Sequence, residues 1–163
     1  MPDPLTYARE FRKAILQGAS SDRMCVALSA PLHAAFRVLD IPSQLVVSDV
    51  GACEHVFLRL ADGQVLDPTA DQFNWSSREN LPSVYLGAPA LIHGGGVPWP
   101  GGQEWHELMT ALKRLCPTLD AAVVGHTVSF ALRSLPPGLC EFTPVEGFRE
   151  SQSFVTNERN EWK

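Results

Sequence analysis

The run His55-Val56-Phe57-Leu58-Arg59-Leu60-Ala61-Asp62-Gly63-Gln64-Val65-Leu66-Asp67 constrains this chain more than any other segment. It sets two β-rich stretches on either side of an Asp-Gly pair, a strong hairpin signal because the turn needs positive φ and glycine adopts it freely. Strands over 55–60 and 64–67 therefore fold back on each other, which commits the chain to an antiparallel sheet. His55 and Asp67 then stand near the open end of the hairpin on roughly opposing sites, where paired side chains lie about 5 Å apart. A hydrogen bond between them follows, and a one-residue slip of register would destroy it by turning one side chain to the other face.

The segments around the hairpin have helical period. Leu5, Ala8, Phe11, Ile15 and Leu16 form one apolar stripe over 4–17, which stops at Gly18. Ser20, Ser21 and Asp22 offer N-caps to a longer helix over 22–39, in which Cys25, Leu28, Leu32, Ala35, Phe36 and Leu39 recur at three- and four-residue steps. Pro31 lacks the N–H for this ladder and predicts a kink or break near 27–31. Cys25 keeps to the first turns, where free backbone N–H groups and the helix dipole favour a thiolate. Ile41-Pro42 closes the helix, and Gln44 to Ser48 reads as a strand beside the hairpin, since consecutive strands tend to be neighbours.

Beyond Asp67 the periodicity weakens. Phe73 and Trp75 read as anchors, and the glycine- and proline-rich Ile92 to Gly102 reads as a plain connecting loop, with a mobile lip carrying Trp99 beside the cleft as the functional alternative. That loop lacks the Gly-Lys-Ser/Thr ending of a phosphate-binding loop. Glu104 to Leu115 predicts an amphipathic helix burying Trp105, Leu108, Met109, Leu112 and Leu115, while 121–132 fits helix or strand equally. Pro136-Pro137-Gly138 ends that element, and the charged tail 146–163 reads as a loosely docked arm. One domain over 1–145 followed by the tail 146–163 is the expected organisation.

Taken singly, a cysteine on an apolar stripe, a histidine opening a strand and an aspartate before proline each have ordinary structural explanations. In combination Cys25, His55 and Asp67 supply a nucleophile, a base and an orienter in the order a thiol enzyme needs. The stretch from Asp22 to Phe73 resembles the transglutaminase-like branch of the papain-like cysteine enzymes: a helix-borne Cys, a His opening an apolar strand (His55-Val56-Phe57-Leu58) and an acid in an Asp-x-Thr word (Asp67-Pro68-Thr69). The resemblance implies an α+β, papain-like fold in which the Cys25 helix packs on an antiparallel sheet bearing His55 and Asp67, as in compact bacterial members. It implies a cysteine-dependent amide hydrolase, either protease or glutamine deamidase, acting on a peptide or protein through a thioester. Acyl transfer to an amine is one alternative, and a catalytically inert papain-like module for protein binding is another.

The oxyanion of such a mechanism would meet the Cys25 N–H and a second donor, for which Gln17 and Ser21 are candidates, while Gln72 and Trp99 are candidates for lining the cleft. His33 lies eight positions after Cys25, too far along the helix to be its base, and His93, His106 and His126 are at most cleft-lining.

A formal net charge of −5, from 13 Lys and Arg against 18 Asp and Glu, gives no basic surplus for nucleic acid. No apolar run approaches the roughly 20 residues of a membrane span, and the first residues lack the pattern of a signal peptide. A cytoplasmic protein, or an effector secreted without a cleaved leader, is the expectation. The four cysteines at 25, 53, 116 and 140 show neither paired spacing nor a zinc pattern, so neither metal nor cofactor is expected, and Cys53, Cys116 and Cys140 read as structural.

Overall fold

Asp3, Pro4 and Thr6 start the first helix in the computed structural model, which describes residues 1–51, 53–76 and 79–134. The Asp3 carboxylate accepts the Thr6 N–H at 2.8 Å and Pro4 occupies a position where no N–H is needed, giving α1 over Pro4–Leu16. Gln17 ends it in the left-handed region, at φ 48°. The second helix, α2, spans Cys25–Val38 and begins later than its stripe predicts. Arg23 at φ 64° breaks the approach, Met24 takes the N-cap without a side-chain bond, and Ser20 instead accepts the Asp22 N–H in a preceding turn. Pro31 lies inside α2, and the helix runs through it, a correction to the predicted interruption.

The sheet follows the hairpin logic. Strands β1 (Ser43–Asp49), β2 (Glu54–Leu60), β3 (Val65–Asp67), β4 (Tyr85–Gly87) and β5 (Val97–Pro98) form one antiparallel sheet in the order β4-β3-β2-β1-β5. Its central turn is closed by Leu60 N–H to Gln64 O at 2.8 Å, with Gly63 at φ 86° and the Asp62 carboxylate capping Gln64 N–H. The register differs from direct opposition. Leu58 faces Leu66, so the ladder continued by one step sets Asp67 opposite Phe57, diagonal to His55. Two residues along a strand keep the same face, and His55 and Asp67 still meet.

The segment 92–102 is not a free loop. Residues Leu91–His93 form a 3-10 turn, and Val97–Pro98 then pair with Val47 and Val46 on the edge of β1. Pro98 is tolerated there because an edge strand leaves one side without ladder bonds. Helices α3 (Gln103–Leu115) and α4 (Ala121–Ser134) follow, which resolves 121–132 as helix. Leu115, expected inside, is 86% exposed, and Trp75, expected as an anchor, is 63% exposed.

α2 packs against β1, β2 and α3, and α1 lies along α4. Ser29 of α2 donates to the Val56 carbonyl at 3.0 Å, fixing this helix to the sheet, and Leu28, Leu32, Phe36, Leu58 and Leu66 are fully buried between them. The α1–α4 contact is close because Gly125 has no side chain: a Cβ there would meet Ala14 Cβ at 2.6 Å and Phe11 O at 2.7 Å. Tyr7 of α1 donates to the Leu119 carbonyl at 2.6 Å. The result is an α+β fold with a five-stranded open sheet and four helices among the described residues. None of these helices is long and apolar enough to cross a membrane. The predicted stop at 136–138, the tail 146–163 and Cys140 lie outside the described residues.

Candidate functional site

Two histidines share one carboxylate oxygen at the heart of the sheet. His55, second residue of β2, approaches Asp67 Oδ2 with Nε2 at 2.6 Å, and His93, last residue of the 3-10 turn, approaches the same oxygen with Nε2 at 2.9 Å. All three side chains are sealed from solvent, at 0% exposure. Asp67 Oδ1 accepts the Thr69 N–H at 2.9 Å and the Thr69 hydroxyl at 3.3 Å. The Asp-Pro-Thr word thus folds into an Asx turn that aims the other oxygen at the histidines. Four donors saturate the lone pairs of the carboxylate.

The surroundings fix the rings. Phe73 meets His55 edge-on at 5.1 Å, Phe57 meets His93 edge-on at 4.7 Å, and Tyr85 stacks on His93 at 5.5 Å. Ser48 donates to the Ile92 carbonyl at 2.6 Å, holding the His93 turn against β1. Arg12 grips the other side: it pairs with both oxygens of Asp71 at 2.8 and 2.9 Å and donates to the carbonyls of Pro68 and Ser83. This clamp ties α1 to the segment that carries Asp67 and Gln72.

Burial disfavours charge on His55, but the Asp67 carboxylate, with a smaller contribution from the Cys25 thiol, overrides it and pushes the imidazole up to about 10. Burial likewise works against an ionised Asp67, and His55 together with His93 drives its carboxyl well below the usual range. The cluster is a buried imidazolium–carboxylate pair with a second histidine attached.

The three residues offer ligand atoms within 4.8 Å of one another, a spacing that resembles a metal centre, and two histidines with one carboxylate are a familiar donor set. The hydrogen-bond directions do not fit an ion. The Ala90 N–H donates to His93 Nδ1 at 3.0 Å, so the proton of the neutral ring resides on Nε2 and points at Asp67. A metal on Nε2 would move that proton to Nδ1, directly against the Ala90 N–H. It would also have to displace donors from a carboxylate already saturated.

The expected Cys25–His55–Asp67 triad is corrected by this arrangement. The partner that shares Asp67 with His55 is His93, and the remaining ring nitrogen, His55 Nδ1, lies 2.8 Å from the amide of Gln72. That amide serves either protonation state: its N–H donates to a neutral ring, and its oxygen, after the amide turns, accepts from an imidazolium. In the imidazolium state that Asp67 favours, Nδ1 already carries its proton and has no lone pair with which to take one from a thiol. Cys25, 3% exposed in the first turn of α2, borders the cluster as a core residue. The papain-like and transglutaminase-like assignment falls with the triad, as do thioester hydrolysis, deamidation and acyl transfer.

The remaining sequence candidates separate. Gln72 joins the cluster, and Ser21 lies nearby in a depression of about 290 Å3 with Trp75, its hydroxyl given to Asp71 at 2.7 Å. Gln17 turns back on its own helix to the Ala14 carbonyl, and Trp99 lies in a separate groove. His93 is the residue that sequence reasoning missed. It lies 26 positions after Asp67 in a glycine-rich segment with no acid of its own, and only the docking of that segment on β1 reveals its partner. Comparison with protein-family models, with curated proteins and with solved structures finds no match for this chain.

Proposed function

We propose that this domain is a non-catalytic binding module that accepts a polypeptide segment in the groove bounded by the C-terminal half of α2, β1, β5 and the start of α3. The observation that carries this reading is the groove itself, about 240 Å3 in volume and lined by Trp99 together with hydrogen-bonding side chains that include Ser43, Gln44 and Gln103. A half-buried aromatic beside adaptable polar groups is the composition of a polypeptide-binding surface. The His55–Asp67–His93 cluster supports the same reading from the other direction, because its donors and acceptors are spent on one another. Its role is to hold the 3-10 turn and β5 in place, and β5 leads directly into Trp99.

Selection of a displayed random-peptide library against the folded protein tests this, followed by solution affinities of the selected sequences for wild type and for Gln103→Trp. Gln103 is exposed at the first position of α3, so the larger side chain fills the groove without entering the core. Selected peptides should lose affinity for Gln103→Trp while its melting temperature stays at the wild-type value. Failure to select any peptide, or selection of peptides indifferent to this change, refutes the reading.

A further inference from the structure

We infer that the depression beside Trp75 is a binding site for a single saccharide ring, separate from the polypeptide groove. The depression has a volume of about 290 Å3 and shares no lining residue with that groove. Small-ligand sites run from about 300 to 1,000 Å3, so a volume at their lower end limits the occupant to one ring.

Gln72 marks the site as incomplete. It belongs to the short 3-10 turn Ala70–Phe73, lines the depression and is 8% exposed. One end of its amide is engaged inside the protein, against His55 Nδ1 at 2.8 Å and Thr69 Oγ1 at 3.4 Å. The other end has no partner among the described residues and is not sealed from solvent. A nearly buried amide satisfied at one end only is completed by a group that enters the depression. Which end faces outward depends on His55. Beside the imidazolium the amide oxygen accepts from Nδ1–H and the amide N–H faces the depression; beside a neutral ring the two exchange. A hydroxyl, donor and acceptor at once, matches either orientation, whereas the fixed donors and acceptors of a nucleobase match only one.

The surrounding groups call for the same chemistry. Asp71 accepts Arg12 at both oxygens and Ser21 at Oδ1, which leaves one lone pair of Oδ2 open on a carboxylate that is 30% exposed. Arg12 holds this carboxylate in place and offsets its charge, so it is preorganised without favouring a cation. Asp22, a further lining residue, is itself engaged. Ser20 accepts the Asp22 N–H at 3.1 Å and keeps its own hydroxyl proton to donate. Trp75, two residues after the turn and largely exposed, adds an aromatic face to the depression. The C–H face of a pyranose packs on such a ring while its hydroxyls reach the polar groups around it.

The test applies the full chain to an array of oligosaccharides carrying hexose, hexuronate and N-acetylhexosamine units, and titrates the retained ones in solution by calorimetry. The inference predicts that at least one is retained and that Trp75→Ala weakens it about tenfold, the upper end for one aromatic contact, while Trp75→Phe restores part of the loss. Both variants change an exposed position and should keep the wild-type melting temperature. Gln103→Trp, which fills the polypeptide groove, should leave saccharide affinity unchanged; a loss there would place the saccharide in that groove and overturn the inference. Retention of no saccharide, or affinities indifferent to Trp75→Ala, overturns it as well. So does tighter binding of adenosine or of arginine methyl ester in parallel titrations. Each of these failures leaves the polypeptide groove standing, because that reading is decided by selected peptides alone.

Discussion

Asp67→Asn measures how much of the fold depends on a buried charge pair. His55 is pushed up to about 10 from an ordinary 6.5, so in the folded chain it stays an imidazolium at neutral pH. In the unfolded chain it releases its proton near its ordinary value. The stability contributed by this pair is therefore fully present below about pH 6.5 and is lost as pH rises toward 10. At about 1.4 kcal/mol for each pH unit, the loss between pH 6.5 and 8 is about 2 kcal/mol. On the acid side the sign reverses: the depressed Asp67 contributes stability above its ordinary 3.8, which is lost as pH falls below that value. His33, held down to about 4, adds stability as pH climbs from there to 6.5, so the maximum lies near pH 6.5.

Asparagine at 67 keeps the shape and removes the charge. His55 then has no counter-ion inside the core, and the variant should lose about 3–5 kcal/mol at pH 6, the range for breaking a buried pair from one side. More telling, its stability should no longer decline between pH 6.5 and 8. Urea unfolding followed by tryptophan fluorescence, repeated from about pH 5 to about pH 9, gives both quantities by linear extrapolation. A wild-type curve that is flat above pH 6.5, or one parallel to that of Asp67→Asn, would show that His55 enters the fold neutral and would refute the charge-pair reasoning.

Zinc or nickel titrated into chelator-treated protein should leave its melting temperature unchanged, whereas a site at 100 times its dissociation constant would add about 2.7 kcal/mol. A rise that disappears in His93→Ala would restore a metal centre. Gly125→Ala should destabilise by about 1–3 kcal/mol in denaturant, because the new Cβ meets Ala14 and the Phe11 carbonyl, and this overlap outweighs the better helix propensity of alanine. Tyr7→Phe should cost about 1–3 kcal/mol by orphaning the Leu119 carbonyl, read as a lowered midpoint at unchanged slope. Leu115→Gln, at an 86% exposed position, should fall within about 0.5 kcal/mol of wild type.

Much of the architecture was written in local chemistry. The Asp62-Gly63 turn, the Asp3-Pro4 helix start and the β1–β2 pairing follow from short-range signals, and their neighbours agree with them. The hydrogen bond between His55 and Asp67 follows from the same hairpin, although the register is diagonal. Local patterns misled where long-range packing decides. Pro31 reads as a breaker, yet the surrounding helix is held on the sheet by Ser29 and its buried neighbours. Leu115 has the right period for burial but comes at the end of α3, beyond the reach of the core.

The site shows the same division more sharply. Cys25 was prominent because a cysteine near a helix start followed by His and Asp has a familiar order, and order carries no information about what occupies the second ring nitrogen. Gln72 lies against that nitrogen, and His93 decides what shares Asp67 with His55. Neither has a spacing that announces its role, since His93 reaches Asp67 only after residues 91–98 dock on β1.

The saturated carboxylate of Asp67 also bears on how the chain folds. Its donors come from β2, from its own Asx turn and from a segment 26 residues further on. A chain that has closed the hairpin but not yet seated the 3-10 turn lacks one of the donors to Asp67 and the cover that the turn supplies. Such a half-formed state is penalised, and residues 88–98 become part of the cooperative unit instead of a separately fraying loop. Amide hydrogen exchange of His93 should accordingly proceed only through global unfolding, although its neighbours in sequence are largely exposed.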